Sequence, residues 1–202
     1  AMRTWGLLVL FLLGTTSAFA NTKITYLRCE YLEKPLGIDS RQPRLSWVIE
    51  AEERGQKQTA YQVLVASSQS MLRKNMGDVW DSGKVVSNQT AHIPVTGNPL
   101  ESARRYYWKV RIWNQEGKPS AYCKPSFWEM GLLSPQEWHG SWIGSSTEIK
   151  YTPAPLLRRS FSLSKPIQEA RAFMSGLGYY ELQVNGRKVG EGVREPGYTR
   201  FD

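Results

Sequence analysis

The chain has 202 residues, with 26 Lys+Arg against 18 Asp+Glu, a net charge of +8, and only two histidines and two cysteines. That length holds one or two domains, and the shortage of Cys and His argues against a zinc or other metal site. Its densest basic clusters, Arg104-Arg105 and Arg158-Arg159, are isolated pairs between apolar runs, so no nucleic-acid partner is expected.

Residues 1–20 have the layout of a signal peptide: Arg3 as the positive start, the apolar run 7–13, and Ala18-Phe19-Ala20 in small-x-small form. Cleavage after Ala20 and export to a periplasmic or extracellular location are expected. The apolar run is far short of the roughly 20 residues a spanning helix needs, so no stable membrane insertion is expected.

From residue 23 to 133 the chain alternates apolar runs with turn signals every eight to twelve residues, the pattern of an antiparallel β-sandwich. Seven strands are predicted: 24–31, 44–50, 60–66, a broken one at 79–81 and 84–86, 91–96, 105–114 and 121–130. Leu45, Trp47 and Ile49 share one face of the second strand, and Tyr61, Val63 and Val65 one face of the third. Tyr106, Trp108, Val110 and Ile112 share one face of the sixth. Trp47, Tyr61, Tyr106 and Trp108 are therefore assigned to the core. Cys29 and Cys123 fall on the first and last strands, and the sequence leaves open whether they form one disulfide or remain two buried thiols.

Domain boundaries are placed at 21–134 for the sandwich, 135–155 for a polar, proline-containing linker, and 156–202 for a second β unit. In the latter, GLGYYELQVNGRKVG at 176–190 reads as a hairpin. Tyr180, Leu182 and Val184 alternate with Tyr179, Glu181 and Gln183, and Asn185-Gly186 supplies the two left-handed residues of a type I′ turn. Residues 156–202 offer about three or four strands where a jelly roll has eight, so this unit is expected to be partial.

Leu100, six residues before Tyr106, resembles the tyrosine corner of a fibronectin type III domain, and Leu45-Ser46-Trp47 resembles the second-strand tryptophan motif of such domains. VWDSGKV at 79–85, WEMGLLSPQEWHGSWIG at 128–144, APLLRRSF at 154–161 and EPGYTRFD at 195–202 extend the likeness. In this order they are similar to the N-terminal region of bacterial α-L-rhamnosidases, glycoside hydrolases that begin with a fibronectin-like sandwich and continue into a jelly-roll module. The resemblance implies an all-β fold, no cofactor, and a catalytic (α/α)6 barrel downstream as the partner of these modules.

It also implies that the catalytic acids lie elsewhere. Inverting hydrolysis needs two carboxyl groups roughly 6.5–9.5 Å apart across a sugar-sized pocket. Glu52, Glu53, Glu101, Glu137, Glu181 and Glu195 fall in turns or on outward strand positions, and no catalytic residue is assigned. Outward aromatics are the candidates for a rhamnose-containing glycan: Tyr107, Trp113 and Tyr179 offer rings on which sugars stack, or faces that pack on another domain. The alternative function is a stand-alone carbohydrate-binding or adhesion protein built of β modules.

Overall fold

The structure, a computed structural model, describes residues 22–52, 54–144, 155–176 and 178–190. The predicted leader at 1–20 and the motif at 195–202 lie outside the described residues. The chain divides into two compact units, Ala1–Ser141 and Trp142–Asp202.

In the first unit, seven strands among the described residues form two antiparallel sheets. β1 (Lys23–Cys29), β2 (Arg44–Glu50) and β5 (Ile93–Pro94) make one, in the order β1-β2-β5. β4 (Trp80–Asp81), β3 (Ala60–Ala66), β6 (Arg105–Trp113) and β7 (Ser126–Glu129) make the other, in the order β4-β3-β6-β7. β3 and β6 pair in unbroken register from Ala60 opposite Trp113 to Ala66 opposite Tyr107.

The predicted strands are found in chain order, most of them shorter than expected; of the broken fourth strand only Trp80–Asp81 is regular, with Val85 joined to Tyr61 by an isolated bridge. Pro94 has no N–H to donate, so β5 is a two-residue edge strand. Pro125 likewise interrupts the last strand. Upstream of it, Ser120 N–H and Cys123 N–H donate to the Ile112 and Val110 carbonyls without forming a regular ladder. β1 stops at Cys29 because Glu30 and Tyr31 take left-handed φ of 47° and 68° and turn the chain; within the strand the register also shifts between Thr25 and Arg28, where Tyr26 has a φ of 48°. Two short elements were not anticipated, a five-residue helix and the 3-10 turn Pro135–Glu137. The short helix α1 (Gln69–Arg73) starts at Ser68, whose hydroxyl accepts the Met71 N–H at 3.3 Å.

The core lies between the sheets. Trp47, Tyr61, Tyr106 and Trp108 are all buried there with Leu45, Val63, Val65, Val110, Ile112 and Trp128. Trp47 and Tyr61 meet edge-to-face with ring centroids 5.3 Å apart. The Trp47 indole N–H donates to Gln58 Oε1 at 3.1 Å, and the Gln58 amide donates onward to the Ser87 and Gln89 carbonyls. This satisfies a polar side chain that burial would otherwise penalise. By contrast, Trp108 Nε1 has no partner among the described residues.

The tyrosine corner is present. Leu100 is buried, and the Glu101 N–H donates to the Tyr106 hydroxyl oxygen at 2.8 Å, tying the loop entering β6 to the strand itself. At Gly97 a Cβ would run into the Val79 carbonyl oxygen and the Trp80 side chain, so only glycine admits this close approach to β4.

In the second unit the hairpin is formed by β8 (Gln183–Val184) and β9 (Arg187–Lys188). Asn185 and Gly186 have φ of 51° and 74°, the left-handed pair a type I′ turn requires. The strands are only two residues long, so the expected half-buried face is not developed: Leu182 is half-buried, while Tyr180 and Val184 are exposed. A two-stranded ribbon has no second layer of its own to cover such a face. Phe161 and Ile167 are also exposed, at 76% and 62%.

Trp108→Ala is expected to cost about 3–5 kcal/mol, because it empties the largest fully buried site between the sheets. Tyr106→Phe should cost about 1–3 kcal/mol by leaving the Glu101 N–H without its acceptor. Urea unfolding followed by tryptophan fluorescence measures both. Equal stability of Tyr106→Phe and the parent would show that the corner hydrogen bond contributes nothing net.

Candidate functional site

The three aromatics predicted to face outward occupy different environments. β6 presents Arg105, Tyr107, Lys109, Arg111 and Trp113 to the outer face of its sheet, opposite in phase to the core set. Tyr107 is half-buried beside Leu64, Ala66 and Leu72, with its ring 6.3 Å from Phe127. Trp113 is only 7% exposed. Lys84 Nζ and Arg111 Cζ each stand 5.0 Å from its ring centroid. The expectation of an open stacking platform at Trp113 is therefore corrected: the side chain is nearly buried, with two cationic groups against its ring. Only Tyr179, in the second unit, is well exposed, at 62%.

The possible disulfide is also corrected, because both cysteines are free. Cys29 pairs with Leu45 in the three-stranded sheet. Cys123 lies beside β6 in the facing sheet, where its Sγ accepts the Val110 N–H at 3.3 Å. The Cys123 thiol is thus engaged with the β6 backbone and not with Cys29. Burial pushes the Cys29 thiol up to about 12 and the Cys123 thiol up to about 11, so neither is a ready thiolate.

Sequence reading missed a row of alternating cations and rings along the outer phase of β6. From Lys84 it runs to Trp113, then Arg111, then Tyr122, whose ring lies 4.9 Å from Arg111 Cζ and 4.6 Å from Lys109 Nζ. Lys109 is buried, and its ammonium donates to the Leu72 carbonyl at 2.6 Å and to Asn75 Oδ1 at 2.5 Å. Desolvation holds its pKa below the ordinary lysine value. The signal was available in the run Tyr107, Lys109, Arg111, Trp113, where every outward residue is aromatic or cationic.

Glu137 has a defined role where a solvated charge was expected. Its Oε2 accepts from Ser102 Oγ at 2.6 Å and from the Leu133 and Ser134 N–H groups at 3.0 Å each. With Ser134 it forms a capping box on the 3-10 turn Pro135–Glu137. Arg41 Nη2 donates to the Leu133 carbonyl at 3.1 Å. The segment leaving the sandwich is thus held against the loop before β6. Ser134-x-x-Glu137 carries the box in its spelling, which makes this feature legible in principle.

Among the described residues no group of three or more His, Cys, Asp or Glu side chains could hold a metal, and no helix is long and apolar enough to cross a membrane. Glu52, Glu101 and Glu181 are exposed, while Glu53 and Glu195 lie outside the described residues.

A sandwich of seven strands among the described residues, with a tyrosine corner, defines an immunoglobulin-like module, and a second, hairpin-containing unit follows it in the chain. The chain belongs to the family described as Rha78A-like, N-terminal immunoglobulin domain, which matches residues 24–134. Residues 165–202 match the α-L-rhamnosidase N-terminal domain. An α-L-rhamnosidase of Streptomyces avermitilis is 43% identical over 189 residues, covering 83% of this chain and 18% of the relative. One from Formosa agariphila is 34% identical over 190 residues, covering 83% of this chain and 20% of the relative. The crystal structure of the Streptomyces avermitilis α-L-rhamnosidase complexed with L-rhamnose aligns with a TM-score of 0.58 and 44% identity, over 61% of this chain and 12% of that one. The chain therefore spans about a fifth of the length of these relatives.

Hydrogen bonds from Ser102 and from the Leu133 and Ser134 amides hold the Glu137 carboxyl below the usual range. A lowered folded-state pKa stabilises above the unfolded value of about 4.3, and the contribution is lost as pH falls through the folded value. Hydrogen exchange at the Leu133 and Ser134 amides, corrected for intrinsic rates, should accelerate on acidification through that window. In Glu137→Gln the acid step should be absent. An identical step in the variant would assign it to another carboxyl.

Proposed function

We propose that this chain is the non-catalytic N-terminal portion of an exported α-L-rhamnosidase, and that its modules support and orient a downstream (α/α)6 catalytic barrel that removes terminal α-L-rhamnose. The observation that carries this is the continuity of the likeness. Identity of 34–43% runs across both units yet occupies only 18–20% of the rhamnosidases it matches. The exposed Phe161, Ile167, Tyr179 and Val184 of the second unit agree with it, since further strands of a jelly roll would cover such side chains. Export rests on the composition of residues 1–20.

Among the described residues, the candidate rings of the first unit do not favour a free-standing lectin. The ring of Trp113 is covered and Tyr107 is packed against α1 and β7, while the exposed Tyr179 lies in a unit whose Phe161 and Tyr180 are exposed as well, as expected where further strands would pack. The expected partner is the rest of the same polypeptide, and any rhamnose-containing glycan would be held there.

The test is release of p-nitrophenol from p-nitrophenyl α-L-rhamnoside. The 202-residue protein should show no turnover above background, and the product of the extended reading frame should be active. Turnover by the 202-residue protein at a rate comparable to the extended enzyme would require a catalytic pair among its own carboxylates.

A further inference from the structure

The outer face of the four-stranded sheet has two halves. At one end α1 lies over it, with Leu72 buried against Leu64 and Ala66. At the other, Lys84 and Asp81 are exposed and Arg111 is half-buried. Arg111 is held in place from several sides there. Its Cζ is 5.0 Å from the Trp113 ring and 4.9 Å from the Tyr122 ring, and its Nε–H donates to Gln62 Oε1 at 2.9 Å. Gln62 is itself oriented by donating to Asp81 Oδ1 at 2.7 Å. The two terminal amino groups of Arg111 have no hydrogen-bond partner among the described residues.

The strip is also unbalanced in charge. Lys84, Lys109 and Arg111 form no ion pair among the described residues, while the other β6 cation, Arg105, pairs with Glu129. Asp81 is the carboxylate beside them, and its Oδ1 is taken by Gln62 and by the Gly83 N–H. A guanidinium stacked on rings with its Nε occupied has already lost most of its freedom, and its open edge is the fork that takes a carboxylate in two parallel hydrogen bonds.

We propose that this strip is a docking surface for an acidic side chain presented by the polypeptide that follows residue 202 in the full-length protein. The Arg111 amino edge and the Lys84 ammonium would grip the one carboxylate. The inference rests on the reading of the chain as an N-terminal portion. Two observations choose this occupant. The strip is complementary to negative charge, and about four-fifths of the length of the matched rhamnosidases lies outside the region this chain covers. A sugar ring is a poor occupant, because the Trp113 face it would stack on is already covered.

The experiment compares the 202-residue protein with the full-length gene product. Arg111 is labelled with phenylglyoxal and Lys84 with an amine-reactive ester, and exposed Lys57 and Lys118 serve as internal controls. In the full-length protein both sites should be protected at least about ten-fold, as expected for groups in a water-excluding contact. Carbodiimide should link Lys84 to an Asp or Glu beyond residue 202, and Arg111→Gln should lower the yield of that link about five-fold if the bidentate grip sets the geometry. Hydrogen exchange across β3 and β6 in the 202-residue Arg111→Gln protein checks that the sheet remains folded. Equal labelling in both proteins overturns the proposal while leaving the parent reading intact. So does a link to a residue within 142–202, or protection that appears only when a carboxylated polysaccharide is added. A gene product that ends at Asp202 overturns both.

Discussion

The two-residue period of β6 is the constraint on which the first unit depends. A strand at the edge of a domain alternates apolar with polar residues, but this one has no phase given over to water. Its inner set, Tyr106, Trp108, Val110 and Ile112, fills the space between the sheets, and its outer set is covered in part by α1 and in part by its own cations. A one-residue slip in register would put Lys109 and Arg111 into the core and Trp108 on the surface. Both faces therefore select the same register. The full pairing with β3, from Ala60 to Ala66, leaves no bulge where that selection could be relaxed.

The ends of β6 carry the connections that make a module out of a sandwich. Where the chain enters, the Tyr106 hydroxyl holds the Glu101 amide, and Ser102, next along, donates to Glu137 from the exit segment. The Ala103 N–H meanwhile donates to the Gly131 carbonyl, and the Gly131 N–H to that of Ile38. Entry loop, exit segment and the β1–β2 connection are thus tied by short-range hydrogen bonds over a buried Leu100 and Met130. A link of this kind orders the exit segment through Glu137 against the sandwich itself.

How much of this could be read beforehand depended on whether a residue's environment was set by neighbours in sequence or in space. The strand phases of β2, β3 and β6 were legible because apolar alternation is a local record of which face is buried. The Asn185-Gly186 turn was legible because few residue pairs tolerate two left-handed positions. Trp113 was misjudged for the complementary reason. Its outward phase was right, yet Lys84 arrives from a loop some thirty residues earlier, and only the folded sheet brings that ammonium over the ring. Cys29 and Cys123 were similarly undecidable, since the facing of two sheets leaves no trace in the spacing of the cysteines. Helix α1 escaped notice because five residues carry too little periodicity to register.

The placement of charge on the first unit bears on what such a module is for. A sandwich core of this kind is indifferent to the residues on its outer faces, so those faces are free to differ with partner and not with fold. Here the outer β6 phase is neither plainly soluble nor plainly apolar: rings hold cations, and a glutamine holds the central guanidinium by its Nε–H. Long cationic side chains on an open surface would normally stay mobile and hydrated. Ordering them costs conformational entropy, which stacking on Trp113 and Tyr122 offsets without using the guanidinium's terminal donors. What remains is an ordered, positively charged edge whose central guanidinium keeps its terminal donors open, the feature on which the proposed carboxylate contact depends.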